Sequence, residues 1–109
     1  MLPTASISVA TRGNSLTLRL GGEIDIQTMP QLRSTLGALA RRSPSALSID
    51  LTDNRFLCLS GMGALMVLRA DLMRTDVNVT TPGATRTFRK LLAHADRVGI
   101  PGPSAKPSA

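Results

Sequence analysis

Few side chains in this sequence are placed to carry out chemistry, and each of them also fits an ordinary structural role. The chain has a single histidine, His94, and a single cysteine, Cys58. His94 could serve as an acid–base group, but no serine, cysteine or carboxylate is obviously placed to pair with it, which favours a surface histidine near a helix end. A nucleophilic Cys58 would need an activating base and a polar site. Because its neighbours are Leu57 and Leu59, we predict a buried or half-buried packing residue.

The acidic residues do not suggest a reaction centre either. The seven Asp and Glu residues are spread along the chain, and Glu23 and Asp25 form the close pair among them. One close pair in the sequence is too weak a signal to predict a metal site or a catalytic carboxylate dyad. We therefore expect no catalytic residue, no metal and no cofactor. The pair is interpreted either as a solvated connector or as part of a binding surface.

The most informative segment is Ser60-Gly61-Met62-Gly63. It lacks the lysine of a Walker loop and the glycine spacing of a dinucleotide fingerprint. Ser60 stands where the N-cap of a helix is expected, and free backbone N–H groups there tolerate an anion. A phosphate on the Ser60 hydroxyl would add about −1.5 to −2 charge and could switch a protein–protein contact. The alternative is an ordinary cap, with glycines for close packing.

The chain is basic, with a formal net charge of +6. Its basic residues are scattered, apart from a compact cluster of Arg86, Arg89 and Lys90 on a predicted helix. No aromatic side chain lies among them to stack on bases. This pattern favours a solvated, arginine-rich surface, with an acidic partner as the second interpretation and nucleic acid as the third. We expect no direct contact with nucleic acid.

The elements that would position these residues follow from hydrophobic periodicity. Alternating residues on either side of a Gly/Asn turn predict a β-hairpin over residues 6–20. Gly21-Gly22 is predicted to end the second strand, and Thr28 to cap the first helix. Apolar residues at three- and four-residue spacing predict helices. The predicted helices cover residues 28–42, 61–75 and 84–94, and the later strands 46–51, 77–80 and 98–100, with a loop at 52–55.

The order strand, strand, helix, strand, helix, strand, helix predicts one α/β domain over residues 1–100, with a mixed four- to five-stranded sheet covered by helices. Residues 101–109 are rich in Pro, Ser and Ala and are predicted to be a disordered tail. The N-terminus lacks the pattern of a signal peptide, and no apolar run approaches the roughly 20 residues of a membrane span. With one cysteine and no disulfide partner, we expect a cytoplasmic protein that does not insert into the membrane.

Three segments resemble the STAS domain in order and spacing. They are Gly22-Glu23-Ile24-Asp25, the stretch from Leu47 through Phe56 to Leu65, and Thr81–Leu92. The resemblance covers all of the chain except the tail and implies the fold predicted above. The nearest relatives within this family are the anti-sigma factor antagonists. The resemblance thus implies a regulatory module that binds a kinase-type anti-sigma factor and releases a sigma factor.

The resemblance also implies a docking surface. It would consist of the acidic connector, the loop around Ser60 and the exposed side of the second helix. The partner-binding residues so predicted are Glu23, Asp25, Cys58, Leu59, Ser60, Gly61 and Met62.

The chain departs from the family at the phosphorylation loop. The family has Asp-Ser-Ser/Thr-Gly-x-Gly, and its kinase phosphorylates one serine to break the complex. Here Cys58 stands at the aspartate, Leu59 at the usual acceptor and Ser60 at the second hydroxyl. Three alternatives follow: an antagonist without the phosphoserine switch, Ser60 as a displaced acceptor, or another partner, as for the small STAS subunit of an ABC-type lipid-transport membrane complex. We favour the first, with Leu59 as an apolar contact residue.

Overall fold

A computed structural model describes residues 5–99 of the protein. The predicted hairpin is present, because β1 (Ala5–Arg12) pairs antiparallel with β2 (Ser15–Ile24). The other elements follow in the order 3-10 helix Ile26–Thr28, α1 Met29–Arg41, β3 Ala46–Asp50, β4 Asn54–Leu57, α2 Leu59–Met73, β5 Asn78–Thr80 and α3 Arg86–Val98.

The five strands form one mixed sheet, as predicted, and β2 is its organising strand. Along one edge, residues 15–22 of β2 pair with the whole length of β1. The other edge pairs with two parallel strands in succession. Residues 15–19 of β2 lie beside β3, and residues 22–24 lie beside β4. The outer edge of β3 pairs with β5, also in parallel.

The core lies between the sheet and the helices and consists largely of leucine. Leu16, Leu18 and Leu20 alternate along β2 and are buried, because every second side chain of a strand points to the same face. Four apolar residues of α1, which recur at three- and four-residue spacing, are buried on its inner face: Met29, Leu32, Leu36 and Leu39. Of the two aromatic residues, Phe88 is buried in this core.

The strand β4 is a correction to the sequence analysis, which expected a loop over residues 52–55. The Asn54 side-chain nitrogen, Nδ2, donates hydrogen bonds to the carbonyl oxygen of Gly22 in β2 (3.0 Å) and to that of Phe56 within β4 (2.9 Å). The prediction that Gly21-Gly22 ends β2 is also wrong. The strand continues to Ile24 through an irregular register between Gly22 and Glu23, since β4 provides a second parallel neighbour there.

α2 and α3 differ from their predicted bounds by two residues or more. α2 begins at Leu59, two residues earlier than predicted, and its last residue, Met73, is apolar but 43% exposed. Met73 is turned away from the core because it lies about 100° around the helix from buried Leu72. α3 continues to Val98, so the predicted strand at 98–100 is wrong at its start. Gly99 caps the helix instead, and Ile100 and the predicted tail lie outside the described residues.

The left-handed backbone of Gly99, with φ of +69°, ends α3. This conformation suits glycine, which has no side chain to clash with the preceding carbonyl group. Within residues 5–99, no helix combines the length and the apolar character that a membrane crossing requires.

Gly83, between β5 and α3, can be tested against Gly63 within α2. Gly83 has φ of +79°, and a Cβ there would lie 2.6 Å from the Thr52 Cα, whereas a Cβ at Gly63 would have no neighbour within 4 Å. We expect Gly83→Ala to lower the free energy of unfolding by more than about 1 kcal/mol. Gly63→Ala should raise it by up to about 1 kcal/mol, because alanine favours helix. Urea unfolding measures the free energy of unfolding of both variants. A decrease of similar size in the two would contradict the proposed difference between the crowded Gly83 and the open Gly63.

Candidate functional site

Parallel pairing of β2 with β4 brings together the two segments predicted to form a binding surface. Glu23 lies opposite Phe56, and Ile24 opposite Leu57. Beyond the last pair, the Cys58 amide donates a hydrogen bond of 2.9 Å to the Ile24 carbonyl oxygen. Because both strands end at the same side of the sheet, the residues that follow them are neighbours. We call residues 23–26 and 56–62 the carboxyl edge.

Asp25 has a defined structural role at this edge. Its Oδ1 atom accepts hydrogen bonds from the amides of Gln27 (3.0 Å) and Thr28 (3.2 Å) and from the Thr28 hydroxyl (2.9 Å). The Asp25 amide in turn donates to the Thr28 hydroxyl oxygen, which completes a capping box. These bonds, that from the Thr28 hydroxyl above all, hold the pKa of Asp25 below its usual range. Thr28 is the N-cap of α1, as predicted, but its side chain makes no capping bond to that helix.

The predicted N-cap of α2, Ser60, is a correction. Cys58 is the N-cap, with extended backbone angles of −66° and 161°. The first turn closes on it, because the Met62 amide donates to the Cys58 carbonyl oxygen at 3.0 Å. The Cys58 side chain makes no capping hydrogen bond, and the free thiol is half-buried against the core, which confirms its predicted packing role. Ser60 is the second residue of α2 and is exposed.

Gly61 and Met62, in the first turn of α2, face the interior of the protein. Gly61 is buried, and a Cβ there would lie 2.7 Å from the Leu57 Cδ1 atom. This contact supports the interpretation of the glycine as a close-packing residue. Met62 is half-buried and, with Phe56 and Phe88, lines a cavity of about 290 Å³ between β4 and the start of α3.

Three large apolar side chains of the carboxyl edge are exposed instead of packed. Leu59 is 77% exposed, Ile26 67% and Phe56 50%. Large apolar side chains that a fold leaves exposed at one end of its sheet are candidate contact residues for a partner protein, provided that they form one continuous patch. Leu59 belonged to the predicted surface, whereas Ile26 and Phe56 did not. Strand alternation could have found Phe56, because its neighbour Leu57 faces the core.

Beside the edge, a groove of about 540 Å³ separates α1 from α2. Ser60 and Gly63 line it from α2, and Arg33 lines it from α1. The exposed serine hydroxyl is thus at the mouth of this groove, next to the apolar residues of the edge.

The titratable side chains described in the structure can be compared with a metal site. Among residues 5–99, no group of three or more His, Cys, Asp or Glu residues is close enough to hold a metal ion. His94 is exposed on α3, remote in sequence from the carboxyl edge. What the edge presents is an apolar surface with a fixed acidic turn, which suits binding.

The chain as a whole is similar to known regulatory proteins. The family model described as "Mlab, STAS domain" matches residues 7–98. The anti-sigma-F factor antagonist RsfB of Mycobacterium tuberculosis is 29% identical, with 77% of this chain and 79% of RsfB covered. The crystal structure of an anti-sigma factor antagonist from Mycobacterium paratuberculosis has a TM-score of 0.65 at 26% identity, over 92% of this chain and 86% of that one. Phosphorylated SpoIIAA of Bacillus shares the fold, with a TM-score of 0.71 at 14% identity over 91% and 93% of the two chains.

The capping box of Asp25 predicts a response to acid. Because its pKa is depressed in the folded protein, its stabilising effect is present above the ordinary aspartate range and is lost as the pH falls through the lowered value. We expect Asp25→Asn to reduce the free energy of unfolding at neutral pH and to make it less sensitive to acid. Urea unfolding of both proteins at neutral and at acidic pH measures this. Asp50 and Asp96, whose pKa values are also lowered, remain in both proteins, so a difference in acid sensitivity reports on Asp25. Equal acid sensitivity of the two proteins would contradict the prediction.

The uncapped start of α2 predicts a stabilising substitution. Serine at position 58 has nearly the shape of cysteine and places a hydroxyl oxygen where an N-cap acceptor is preferred. We expect Cys58→Ser to raise the free energy of unfolding by about 0.5–1 kcal/mol. Cys58→Ala, which removes the thiol without adding an oxygen, is the matched control. Equal thermal midpoints for the two variants would argue against the uncapped geometry.

Proposed function

Since the chain belongs to the STAS domain family, we propose that it is an anti-sigma factor antagonist, a regulatory binding module that docks to a kinase-type anti-sigma factor and releases a sigma factor. The similarity to RsfB and to the Mycobacterium paratuberculosis antagonist supports this choice within the family. The observation that carries the proposal is the exposure of Leu59 at 77%, at the first position of α2. A leucine side chain that is exposed to solvent on a helical backbone is suited to burial in an interface with a partner protein.

The carboxyl edge has the energetic character of a docking surface. Burying a large apolar side chain contributes roughly 1.5–3 kcal/mol, so Leu59, Ile26 and Phe56 together could supply most of the free energy of binding. Exposed Glu23 lies beside Phe56 and would favour cationic groups on the partner. The Asp25 capping box fixes the turn that presents Ile26, which lowers the entropy lost on binding.

The same geometry supports binding without the phosphoserine switch. Leu59 has no hydroxyl group to phosphorylate. The next residue, Ser60, is displaced by about 100° around the helix and lines the groove between α1 and α2. A phosphate on Ser60 would therefore lie on the side of α2 that faces the groove, and not on the side that presents Leu59. We propose that the contact is not regulated at this loop, that the protein has no catalytic role, and that it acts in the cytoplasm, which suits a free cysteine.

The alternative function is that of a small STAS subunit in an ABC-type lipid-transport membrane complex. The apolar carboxyl edge would serve this role too, with a transporter subunit in place of the anti-sigma factor. Recovery of transporter subunits with the tagged protein, in place of a kinase-fold protein, would favour the alternative.

Binding through Leu59 can be tested with the purified kinase-type anti-sigma factor of the same organism. We expect Leu59→Asp to weaken binding about tenfold or more, because it replaces an apolar contact with a charge. The variant should fold, since an aspartate suits the first turn of a helix. Met73→Asp is the matched control, because Met73 is an exposed apolar residue at the other end of α2. Calorimetry that gives the same affinity for both variants would refute the proposed surface.

The absence of a phosphoserine switch has a separate test. The protein is incubated with the same kinase and ATP, and its intact mass is measured. We expect no added phosphate on the natural chain, whereas Leu59→Ser restores a hydroxyl at the usual acceptor position and should gain one. Phosphorylation of Ser60 that also weakens binding would overturn this part of the proposal.

A further inference from the structure

The outer face of α3 carries a stripe of cations. Arg86, Lys90 and Arg97 are all exposed, and their spacing of four and seven residues places them on one side of the helix. The opposite side holds Phe88 and Leu92, which are buried. We call the three cations the basic face of α3.

Nothing acidic on α3 balances this face. The acidic residue of the helix, Asp96, is bound by Arg69 of α2 through two hydrogen bonds of 2.9 and 3.0 Å. Arg69 is only 14% exposed, so this pair holds Asp96 toward α2. In the part of the chain from residue 5 to residue 99, Arg86, Lys90 and Arg97 form no ion pair with an acidic side chain.

The basic face is unfavourable for the helix that carries it. The first turn of α3 contains no acidic residue, and Arg86 stands at its first position, where the positive end of the helix dipole repels a cation. Arg86 and Lys90 are also like charges four residues apart, which repel on a helix surface. The arrangement thus lowers the stability of the free protein, and a bound anionic partner would relieve the repulsion.

We propose that the basic face of α3 docks an acidic segment of a partner protein. Arg86 and Lys90 are separated by about 6 Å along the axis, which is also the rise between glutamates four residues apart on a second helix. The two arginines can bind carboxylates through bidentate hydrogen bonds.

Nucleic acid is a less suitable ligand for this face. Three cations neutralise about three phosphates, which gives weak and strongly salt-dependent binding. No aromatic side chain of α3 is exposed to stack on a base.

This contact is separate from the carboxyl edge and does not rest on the proposed anti-sigma function. The probe is an acetylated helical peptide with the repeat Glu-Ala-Ala-Gln, whose glutamates stand four residues apart, titrated into the isotopically labelled protein at low salt. We expect amide shifts centred on Arg86, Lys90 and Arg97. Arg86→Glu/Lys90→Glu should bind the peptide about tenfold more weakly, since each exposed pair contributes up to about fivefold and reversal adds repulsion. Arg12→Glu/Arg33→Glu is the control, because it changes the net charge equally at exposed positions outside α3.

A stability measurement distinguishes loss of binding from loss of fold. Arg86→Glu places an acid in the first turn of α3, so the thermal midpoint should rise by about 2–5 °C while peptide binding falls. Equal weakening by the two double variants would mean that net charge alone attracts the peptide, and would overturn the proposal. So would tighter binding of duplex DNA or of phosphatidylglycerol vesicles than of the peptide, at the same salt and through the same residues.

Discussion

The hydrogen bond from the Cys58 amide to the Ile24 carbonyl oxygen links β2 to the start of α2. It follows the short parallel pairing of β2 with β4 and determines where the chain turns into α2. Without β4, the acidic turn after β2 and the beginning of α2 would be separate loops. With it, Ile26 and Leu59 leave the same end of the sheet, each two residues beyond a buried strand residue. The candidate binding surface is therefore a product of strand register.

The sequence predicted those elements whose formation depends on the pattern of neighbouring residues. The inner face of α1 follows from its apolar spacing, and the hairpin follows from the alternation of β2 and its Gly/Asn turn. β4 was missed because a four-residue strand shows little periodicity of its own and depends on its pairing with β2. The start of α2 was misplaced because N-cap preferences favour residues with a side-chain oxygen. Ser60 has such an oxygen, whereas Cys58, the actual N-cap, does not.

The candidate site was predictable in the same uneven way. Family resemblance pointed to two segments, and the structure places them side by side. The apolar contribution of Ile26 and Phe56 was missed, since the exposure of a side chain depends on what the rest of the chain leaves uncovered. Ile26 stands two residues after buried Ile24, so strand alternation would have placed it on the same face, but β2 ends at Ile24 and a 3-10 helix begins at Ile26. For Phe56, the decisive fact is that its neighbour Leu57 points into the core.

The capping box around Asp25 separates the shape of the turn from the chemistry of recognition. The carboxylate is bonded within its own turn, to Gln27 and Thr28, so this turn is held by its own residues and not by the side chains of positions 59 and 60. Under the proposed function, a substitution at position 59 or 60 would therefore alter recognition while the acidic turn keeps its shape.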